Sequence, residues 1–185
     1  MKKVVFLIII IIVFGVGCTR MKIAQVDPKT GYFPSSSKAT TIKAEKVDLD
    51  SMNALILVPN NEFLKGQIIN LSYFTEVISF DDLETLIIKN NLQDQIPSIK
   101  GKIGLNKAYK LYKPFLWFRF DSRGSGREKY AQFILTNPDT LEDIFIAEQH
   151  LDYVWAGVND QTTWYPLFNS LIDYIKDNSN SYRKP

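Results

Sequence analysis

The sequence predicts a single α/β domain with a mixed sheet of about five strands covered by helices. A short apolar run, Ala54 to Val58, precedes a helical pattern and a second strand-like run, Glu76 to Phe80. A strand, a helix and a second strand in this order form a parallel pair with a right-handed crossover. From Phe115 onwards, three β-favouring segments alternate with turn residues, which indicates antiparallel strands. An amphipathic helix follows, so the predicted element order is βαβααβββα.

The first strand and helix have clear boundaries. Ala54 to Val58 carries no polar side chain and is followed by a proline, which is typical of a strand buried on both faces. Asn60 or Asn61 is the predicted start of the next element because Asn is a favoured N-cap. Apolar residues at helical spacing then predict a helix over Glu62 to Leu71.

Two further helices are predicted after the second strand. Asp81 or Asp82 is expected to cap a helix over Leu83 to Asn91. Glu84 falls in its first turn, where the helix dipole favours an acid. These three acids also suggest a metal site, but capping explains them more simply. A third helix, about Leu105 to Tyr112, lies between a glycine and a proline.

Three antiparallel strands are predicted in the second half of the chain. They cover Phe115 to Phe120, Tyr130 to Thr136 and Leu141 to about Tyr153. Asp121 to Arg127 is rich in Gly and Ser and indicates a hairpin loop between the first two. Asn137 to Thr140 indicates a turn between the last two.

The last helix is predicted to start within Asn159 to Thr162. Pro166 then falls in the first turn, where a missing N–H costs little. Its apolar residues share one face: Trp164, Leu167, Phe168, Leu171, Ile172 and Ile175. This stripe predicts burial of the helix against the rest of the domain.

The first seventeen residues have the layout of a secretory signal peptide. Lys2 and Lys3 provide a positive start, and Val4 to Phe14 is entirely apolar. The apolar stretch that ends at Val16 is 13 residues long. A membrane-spanning helix needs about 20 residues, so this segment is predicted to direct export rather than to span the membrane.

Cys18 is the only cysteine and directly follows the small residues at the end of the apolar run. This arrangement resembles the lipobox of bacterial lipoprotein precursors: Val16 and Gly17 fit it, and Gly15 stands where the family usually has Leu. The resemblance implies that Cys18 receives a diacylglyceryl thioether, becomes the first residue after cleavage and is acylated on its amino group, for example with palmitate. An uncleaved membrane anchor is the alternative. Thr19, where the family's inner-membrane proteins have Asp, implies an outer-membrane location facing the periplasm.

Charge and composition argue against a nucleic-acid-binding protein and against a disordered chain. The chain has 22 Lys and Arg against 20 Asp and Glu, and removal of the signal takes away two lysines and no acid. The remaining chain is therefore balanced and produces no broad field for nucleic acid. Its 45% apolar and 13% aromatic content is that of a globular protein.

The chain after the signal is predicted to divide into three parts. Residues 18–52 form a tether because they are polar, contain turn residues and lack apolar periodicity. The domain covers residues 53–178, and residues 179–185 form a polar tail. Tyr32 and Phe33 are exceptional within the tether. They either pack on the domain, which is favoured, or form a partner-binding patch.

The sequence contains few residues or motifs that indicate a catalytic site. His150 is the only histidine, with Asp152 two residues away, and no Gly-x-Ser-x-Gly nucleophile motif accompanies them. A periplasmic hydrolase that uses His150 and nearby acids is the alternative function. Gly124 and Gly126, with flanking arginines, indicate a hairpin tip more than a phosphate loop, since phosphate loops lead into a helix. No metal and no cofactor is predicted, because a structural zinc site needs several Cys or His ligands.

Aromatic residues provide the hint of a binding surface. Trp117 and Phe118 are adjacent in one strand and must face opposite sides of the sheet. Trp155 falls near the end of another strand, at a predicted edge. Trp117 and Trp155, with Tyr32 and Phe33, are therefore the candidate partner contacts, since aromatic residues dominate protein interfaces.

The predicted element order resembles the periplasmic lipoprotein domains of the TolB N-terminal and curli-secretion kinds. The resemblance covers Asn53 to Asp177 loosely and assigns no individual residue. Together with the lipobox, it implies a membrane-anchored envelope lipoprotein that binds or scaffolds an envelope protein. The expected protein is not an enzyme and does not bind nucleic acid.

Overall fold

A six-stranded mixed sheet organises the fold in the computed structural model, which describes residues 24–151 and 160–182. The strands are β1 (Thr40–Ala44), β2 (Ile56–Val58), β3 (Val77–Ser79), β4 (Leu116–Arg123), β5 (Tyr130–Asn137) and β6 (Glu142–His150). Their order across the sheet is β1-β6-β5-β4-β2-β3. β2 runs parallel to β3 and β4, and the remaining pairs are antiparallel. The predicted α/β class with a mixed sheet is confirmed, and β1 is the strand that the sequence did not predict.

Helices cover both faces of the parallel half of the sheet. Four α-helices lie in the described part of the chain: α1 (Glu62–Asn70), α2 (Phe80–Lys89), α3 (Lys102–Leu111) and α4 (Tyr165–Asn178). A 3-10 turn (Leu49–Met52) precedes β2, and a π-helical turn (Asp160–Trp164) leads into α4. The apolar residues of α1 and α4 share one core cluster, and those of α2 and α3 share a second cluster on the other face.

The caps of the first two helices agree only partly with prediction. Asn61 caps α1, and its side chain accepts a hydrogen bond from the backbone N–H of Leu64. The prediction that Asp81 or Asp82 caps α2 is wrong, because that helix starts directly after β3 and Ser79 is its N-cap. Asp82 completes a capping box with Ser79. Hydrogen bonds from Lys65 and then Ser79 lower the pKa of Asp82 to about 2.

The predicted tether over residues 18–52 is wrong for residues 24–52, which pack on the domain. β1 pairs with β6, and Val26, Phe33 and Leu49 are buried. The packing of Phe33 on the domain agrees with the alternative that the sequence favoured. The burial of Val26 and Leu49 was not predicted, because each stands between two polar residues and contributes no apolar periodicity. β1 is an edge strand whose side chains are mostly exposed, so it carries little apolar signal.

α4 holds this N-terminal segment through a series of specific contacts. The ring of Phe33 lies 5.4 Å from that of Tyr165 and 5.5 Å from that of Phe168. The side-chain amide of Asn169 accepts from the backbone N–H of Phe33 and donates to its carbonyl, at 2.8 and 2.9 Å. One turn further along, the hydroxyl of Tyr174 donates to the carbonyl of Glu45 at 3.0 Å. The last helix therefore fastens the first described segment of the chain to the domain.

We expect Phe168→Ala to lower the free energy of unfolding by about 3–5 kcal/mol, since Phe168 is fully buried on the apolar stripe of α4. Urea denaturation at neutral pH measures this change. Ile103→Ala is the control: Ile103 is 75% exposed on α3, and its truncation should change stability by less than about 0.5 kcal/mol. A Phe168→Ala variant as stable as the wild type would contradict the assignment of this stripe to the core.

Candidate partner-binding face

The antiparallel half of the sheet has one face that none of the described helices covers. α4 packs on its opposite face, α1 covers the same side of the parallel half, and α2 and α3 cover the other side of the parallel half. α3 reaches only the border, where Asn106 donates to the carbonyls of Pro138 and Asp139. We call this surface the open face. Directly paired residues of an antiparallel sheet point to the same side, so strand register defines its rows.

Four rows of side chains cross the open face. The first row holds Trp117, Thr136 and Asp143; the second holds Arg119, Ile134, Ile146 and Lys43; the third holds Asp121, Gln132, Glu148 and Thr40; the fourth holds Arg123, Tyr130 and His150. The rows are rich in charged and aromatic residues. The opposite face of the same strands is apolar and belongs to the core.

Glu148 is a buried carboxylate in the third row, with 6% of its surface exposed. Arg123 binds it with two parallel hydrogen bonds, Nε to Oε2 at 2.6 Å and Nη2 to Oε1 at 2.5 Å. Gln132 adds a third, at 3.1 Å. The hydrogen bonds from Arg123 lower the pKa of Glu148 and outweigh its burial, which acts in the opposite direction. The guanidinium also lies 4.3 Å from the ring centre of Tyr130, so it is fixed by both contacts.

Arg119 repeats this arrangement four residues earlier on β4. Its Nη2 lies 2.6 Å from a carboxylate oxygen of Asp143, and its Nε donates to the hydroxyl of Thr136 at 3.2 Å. Its guanidinium lies 4.9 Å from the ring centre of Trp117. Each arginine thus joins β4 to β6 across the intervening β5 while it contacts an aromatic ring. The result is a rigid surface with partly exposed cations and rings.

Trp117 lies at the corner of the open face, half-buried against Phe80 of α2, with ring centres 6.3 Å apart. Phe118 is fully buried on the other side of the sheet, as strand alternation predicts. The other predicted tryptophan contact, Trp155, lies outside the described residues, as do Asp152 and the lipidation candidate Cys18.

Tyr32 and Phe33 lie away from the open face, against α4. Phe33 is 2% exposed and therefore presents no surface to a partner. The hydroxyl of Tyr32 donates to Asp173 at 2.5 Å, and this hydrogen bond raises the pKa of Tyr32 to about 12. The ammonium of Lys176 lies 3.6 Å from the centre of the Tyr32 ring. Both aromatics hold the N-terminal segment on the domain.

A cleft of about 550 Å³ runs between this segment and α4. Its polar side chains already bond across it. The hydroxyls of Thr41 and Ser170 lie 2.9 Å apart, and Asn169 donates to the hydroxyl of Ser35 at 3.1 Å. Because these groups bond to each other, the cleft is interpreted as the packing boundary between the N-terminal segment and α4.

His150 lies at the exposed end of the fourth row. Its Nε2 is 2.7 Å from the carbonyl oxygen of Arg127, and its ring meets the ring of Tyr130 edge-on at 5.2 Å. Because a carbonyl only accepts, Nε2 carries the hydrogen. Glu148, two residues away on the same face, is bound by Arg123 and Gln132. Within the described residues, no group of three or more His, Cys, Asp or Glu is arranged to hold a metal ion.

The predicted hairpin loop at Asp121 to Arg127 is shorter in the structure, because β4 continues to Arg123. Gly124 has a φ of 78°, and a Cβ there would lie 1.9 Å from the carbonyl oxygen of Glu128, so only glycine fits. The segment joins two strands of the antiparallel sheet, as predicted. It is the tip of the β4–β5 hairpin.

Sequence reasoning missed the two arginine–carboxylate pairs. The available signal was alternation along β4, where Trp117, Arg119, Asp121 and Arg123 occupy every second position. That pattern predicts a polar face but does not identify partners 24 or 25 residues away. The pairing requires the register of both β4 and β6 against β5.

In the part of the chain that the structure describes, every helix is too short or too polar to cross a membrane.

The sequence matches no protein-family model, and no curated protein is significantly similar to it. Among solved structures, the chain is similar to the LpoB C-terminal domain from Salmonella enterica, with a TM-score of 0.37 and 15% sequence identity. The similarity covers 55% of this chain and 84% of that domain. Neither the TM-score nor the identity is high enough to transfer a function.

We expect Glu148→Gln to change how stability depends on pH. The pKa of Glu148 in the folded protein lies below 4.5, the ordinary value for a glutamate. The ionised carboxylate therefore stabilises the fold fully at pH values above 4.5. The contribution is lost as the pH falls through the lowered pKa. The urea midpoint of the variant should therefore be below that of the wild type at pH 7, and the gap should narrow below about pH 4. Glu84→Gln on α2 is the control. A difference in urea midpoint between Glu148→Gln and the wild type that stays the same from pH 7 to pH 3 would contradict the role of Glu148.

Proposed function

We propose that this chain is a lipid-anchored protein of the cell envelope that binds another envelope protein through the open face and is not a catalyst. The proposal for the anchor is supported by the sequence from Lys2 to Cys18. The proposal for binding is carried by one observation, the arrangement of paired arginines and aromatic rings on a sheet face that no described helix covers.

The chemistry of the open face suits a protein partner. Trp, Tyr and Arg are the residues most enriched among energetically important interface contacts. Trp117, Arg119, Arg123 and Tyr130 provide these types within two neighbouring strands. Their arginine side chains are already ordered by carboxylates and rings, so binding would cost less conformational entropy than it does with free arginines.

The surroundings of these residues resemble the rim of an interface. Asp121, His150 and Thr40 are exposed, and Lys43 is half-buried. Polar groups at such positions fix the orientation of a partner more than they add affinity. We propose Trp117 as a contact at the corner of this surface, and Trp155 remains a proposed contact from its place in the sequence.

The proposed location is the outer membrane, with the domain in the periplasm. Three acyl chains on Cys18 would exceed the two anchoring signals that stable membrane attachment needs. Thr19 supports the outer membrane by resemblance to the lipoprotein family.

We expect Cys18→Ser to abolish incorporation of radiolabelled palmitate and to leave an uncleaved precursor, because only the thiol forms the thioether. Labelling and gel mobility of the protein in growing cells measure both effects. Thr19→Ser is the matched control and should be labelled normally. Equal palmitate labelling of Cys18→Ser and the wild type would refute the anchor.

We expect a photocrosslinking residue at position 121 to capture a protein partner in intact cells. Asp121 is exposed in the third row, and its side chain accepts a local hydrogen bond from the backbone N–H of Ser122. The same residue at position 94, in the exposed loop after α2, is the control and should capture nothing specific. Equal crosslinking patterns at the two positions would contradict a binding role for the open face.

Complementation of a deletion strain separates binding from hydrolysis. Asp121→Arg should weaken the complex at least tenfold, about 1.4 kcal/mol, through a reversed charge on the face. His150→Gln should be tolerated, whereas a hydrolase would lose its general base. An inactive His150→Gln beside a fully active Asp121→Arg, at equal protein levels, would favour the hydrolase and overturn the proposal.

A further inference from the structure

The helix α3 and the residues on either side of it contain a local excess of cations. Between Asp94 and Asp121 the chain has no acid, and its basic residues there are Lys100, Lys102, Lys107, Lys110, Lys113 and Arg119. The whole chain has 22 Lys and Arg against 20 Asp and Glu. The excess therefore marks one region of a nearly neutral protein.

Half of these cations are available to a ligand. Three of them are paired with acids: Lys110 with Asp139, Lys113 with Glu76 and Arg119 with Asp143. The other three, Lys100, Lys102 and Lys107, are exposed and form no ion pair within residues 24–151 and 160–182. Their positive charge is not offset by a neighbouring carboxylate.

The stability of α3 does not account for Lys100 and Lys102. Lys102 is the first residue of the helix, and the N-cap, Gly101, provides no side-chain hydrogen bond. The helix dipole disfavours cations in the first turn, and α2 has Asp81 and Asp82 at the equivalent place. These two lysines oppose the dipole, so their presence requires another explanation.

An exposed apolar stripe runs beside the lysines. Ile103 is 75% exposed, more than any other large apolar side chain in the described part of the chain, and Leu111 is 45% exposed. Ile103, Lys107 and Leu111 follow one another at intervals of four residues, so they lie along one side of α3. Leu105 and Ala108 are buried on the other side. The outer side of α3 is therefore both aliphatic and cationic.

The loop that carries Lys100 is fixed against α3. Ile96 and Ile99 are buried in the core cluster that also holds the apolar residues of α3. A Cβ on Gly104 would lie 2.0 Å from the carbonyl oxygen of Ser98, so this glycine allows the loop backbone to touch the helix. Lys100 is held beside the first turn of α3 as a result.

These properties suit a lipid surface better than a protein surface. Lysine is depleted in protein interfaces, whereas the aromatic residues and arginines that are enriched there occur on the open face. A helix whose outer side combines lysines with aliphatic residues is typical of a membrane interface, where the aliphatic groups lie just below the headgroups. Each cation near an anionic surface strengthens such binding roughly fivefold.

We infer that the outer side of α3 is a membrane-contact surface that binds anionic phospholipid headgroups through Lys100, Lys102 and Lys107 and inserts Ile103 between them. The inference rests on the proposed location in the cell envelope, and it requires neither the open face nor a lipid on Cys18. Because α3 borders the open face, a protein bound to that face would lie next to the membrane.

A photocrosslinking residue at position 103 tests the contact. The apolar residue p-benzoylphenylalanine replaces the exposed Ile103 in the full chain, and intact cells are irradiated. We expect adducts of phospholipid mass on the tryptic peptide of residues 103–107, measured by mass spectrometry. Ser125, exposed on the hairpin tip at the far end of β4, is the control position and should give at least fivefold fewer lipid adducts. Capture of a protein at position 103, or equal lipid adducts at both positions, would overturn the inference.

A charge variant tests the lipid chemistry. The full chain with the crosslinker at position 103 is purified and mixed with vesicles of phosphatidylethanolamine and phosphatidylglycerol. Lys100→Gln with Lys102→Gln should lower the ratio of docked to undocked domain about twenty-five-fold, at roughly fivefold for each cation, and the yield of lipid adducts should fall with it. Lys29→Gln with Lys38→Gln, at exposed positions of the N-terminal segment, is the matched control and should leave the yield unchanged.

The vesicle composition provides a second test of the same chemistry. Replacement of phosphatidylglycerol by phosphatidylcholine should reduce the yield of adducts for the wild-type lysines. If the yield persists, or if the two pairs of lysine substitutions have equal effects, anionic lipid is not the ligand and the inference fails.

This inference and the proposed function fail in distinguishable ways. Fractionation that places the wild-type protein outside the envelope would overturn the proposed location and this inference with it. Specific capture of a partner at position 121 without lipid adducts at position 103 would overturn only this inference. Lipid adducts at position 103 without capture of a partner at position 121 would overturn only the binding role of the open face.

Discussion

The burial of α4 between the sheet and the N-terminal segment is the constraint on which the rest of the structure depends. The ring of Phe168 contacts Phe133 of β5, with centres 4.7 Å apart, and Phe33 of the N-terminal segment. Phe145 of β6 stacks on Tyr174 one and a half turns later. The last helix of the chain therefore covers one face of the antiparallel half of the sheet and also holds Phe33, Glu45 and Val47 of the N-terminal segment in place.

This arrangement leaves the two faces of the antiparallel half chemically different. One face meets α4 and is filled by apolar side chains, which are stabilised by their removal from water. The other face has no described helix above it. Its charged side chains form hydrogen bonds with one another across the strands. Glu148 is the clearest case, because a buried carboxylate is tolerated only when it is paired and hydrogen-bonded. The same contacts that satisfy Glu148 also order the arginine that a partner would meet.

The attachment of residues 24–52 makes them part of the domain. Asn70 of α1 donates to the carbonyl of Ala24, and Asn169 of α4 bonds to both backbone polar groups of Phe33. Contacts with two helices therefore replace the free tether that the composition of this stretch predicted.

The sequence by itself determined the elements whose signals are local. The apolar run at β2, the Asn61 cap of α1, the alternation of Trp117 with Phe118 and the apolar stripe of α4 each depend on neighbouring residues. These patterns sufficed for the α/β class, because periodicity reports which side of an element is buried. The signal-like start of the chain is also a local pattern.

Only the tertiary structure decided which distant residues meet. β1 became a strand because β6 offers it an edge, and Phe33 became core because α4, more than 130 residues away, supplies its neighbours. The pairing of Arg123 with Glu148 depends on the register of three strands, which local spacing does not encode. The burial of Val26 and Leu49 was hidden for the same reason: isolated apolar residues among polar ones carry no periodic signal, and their burial depends on surfaces formed by the rest of the chain.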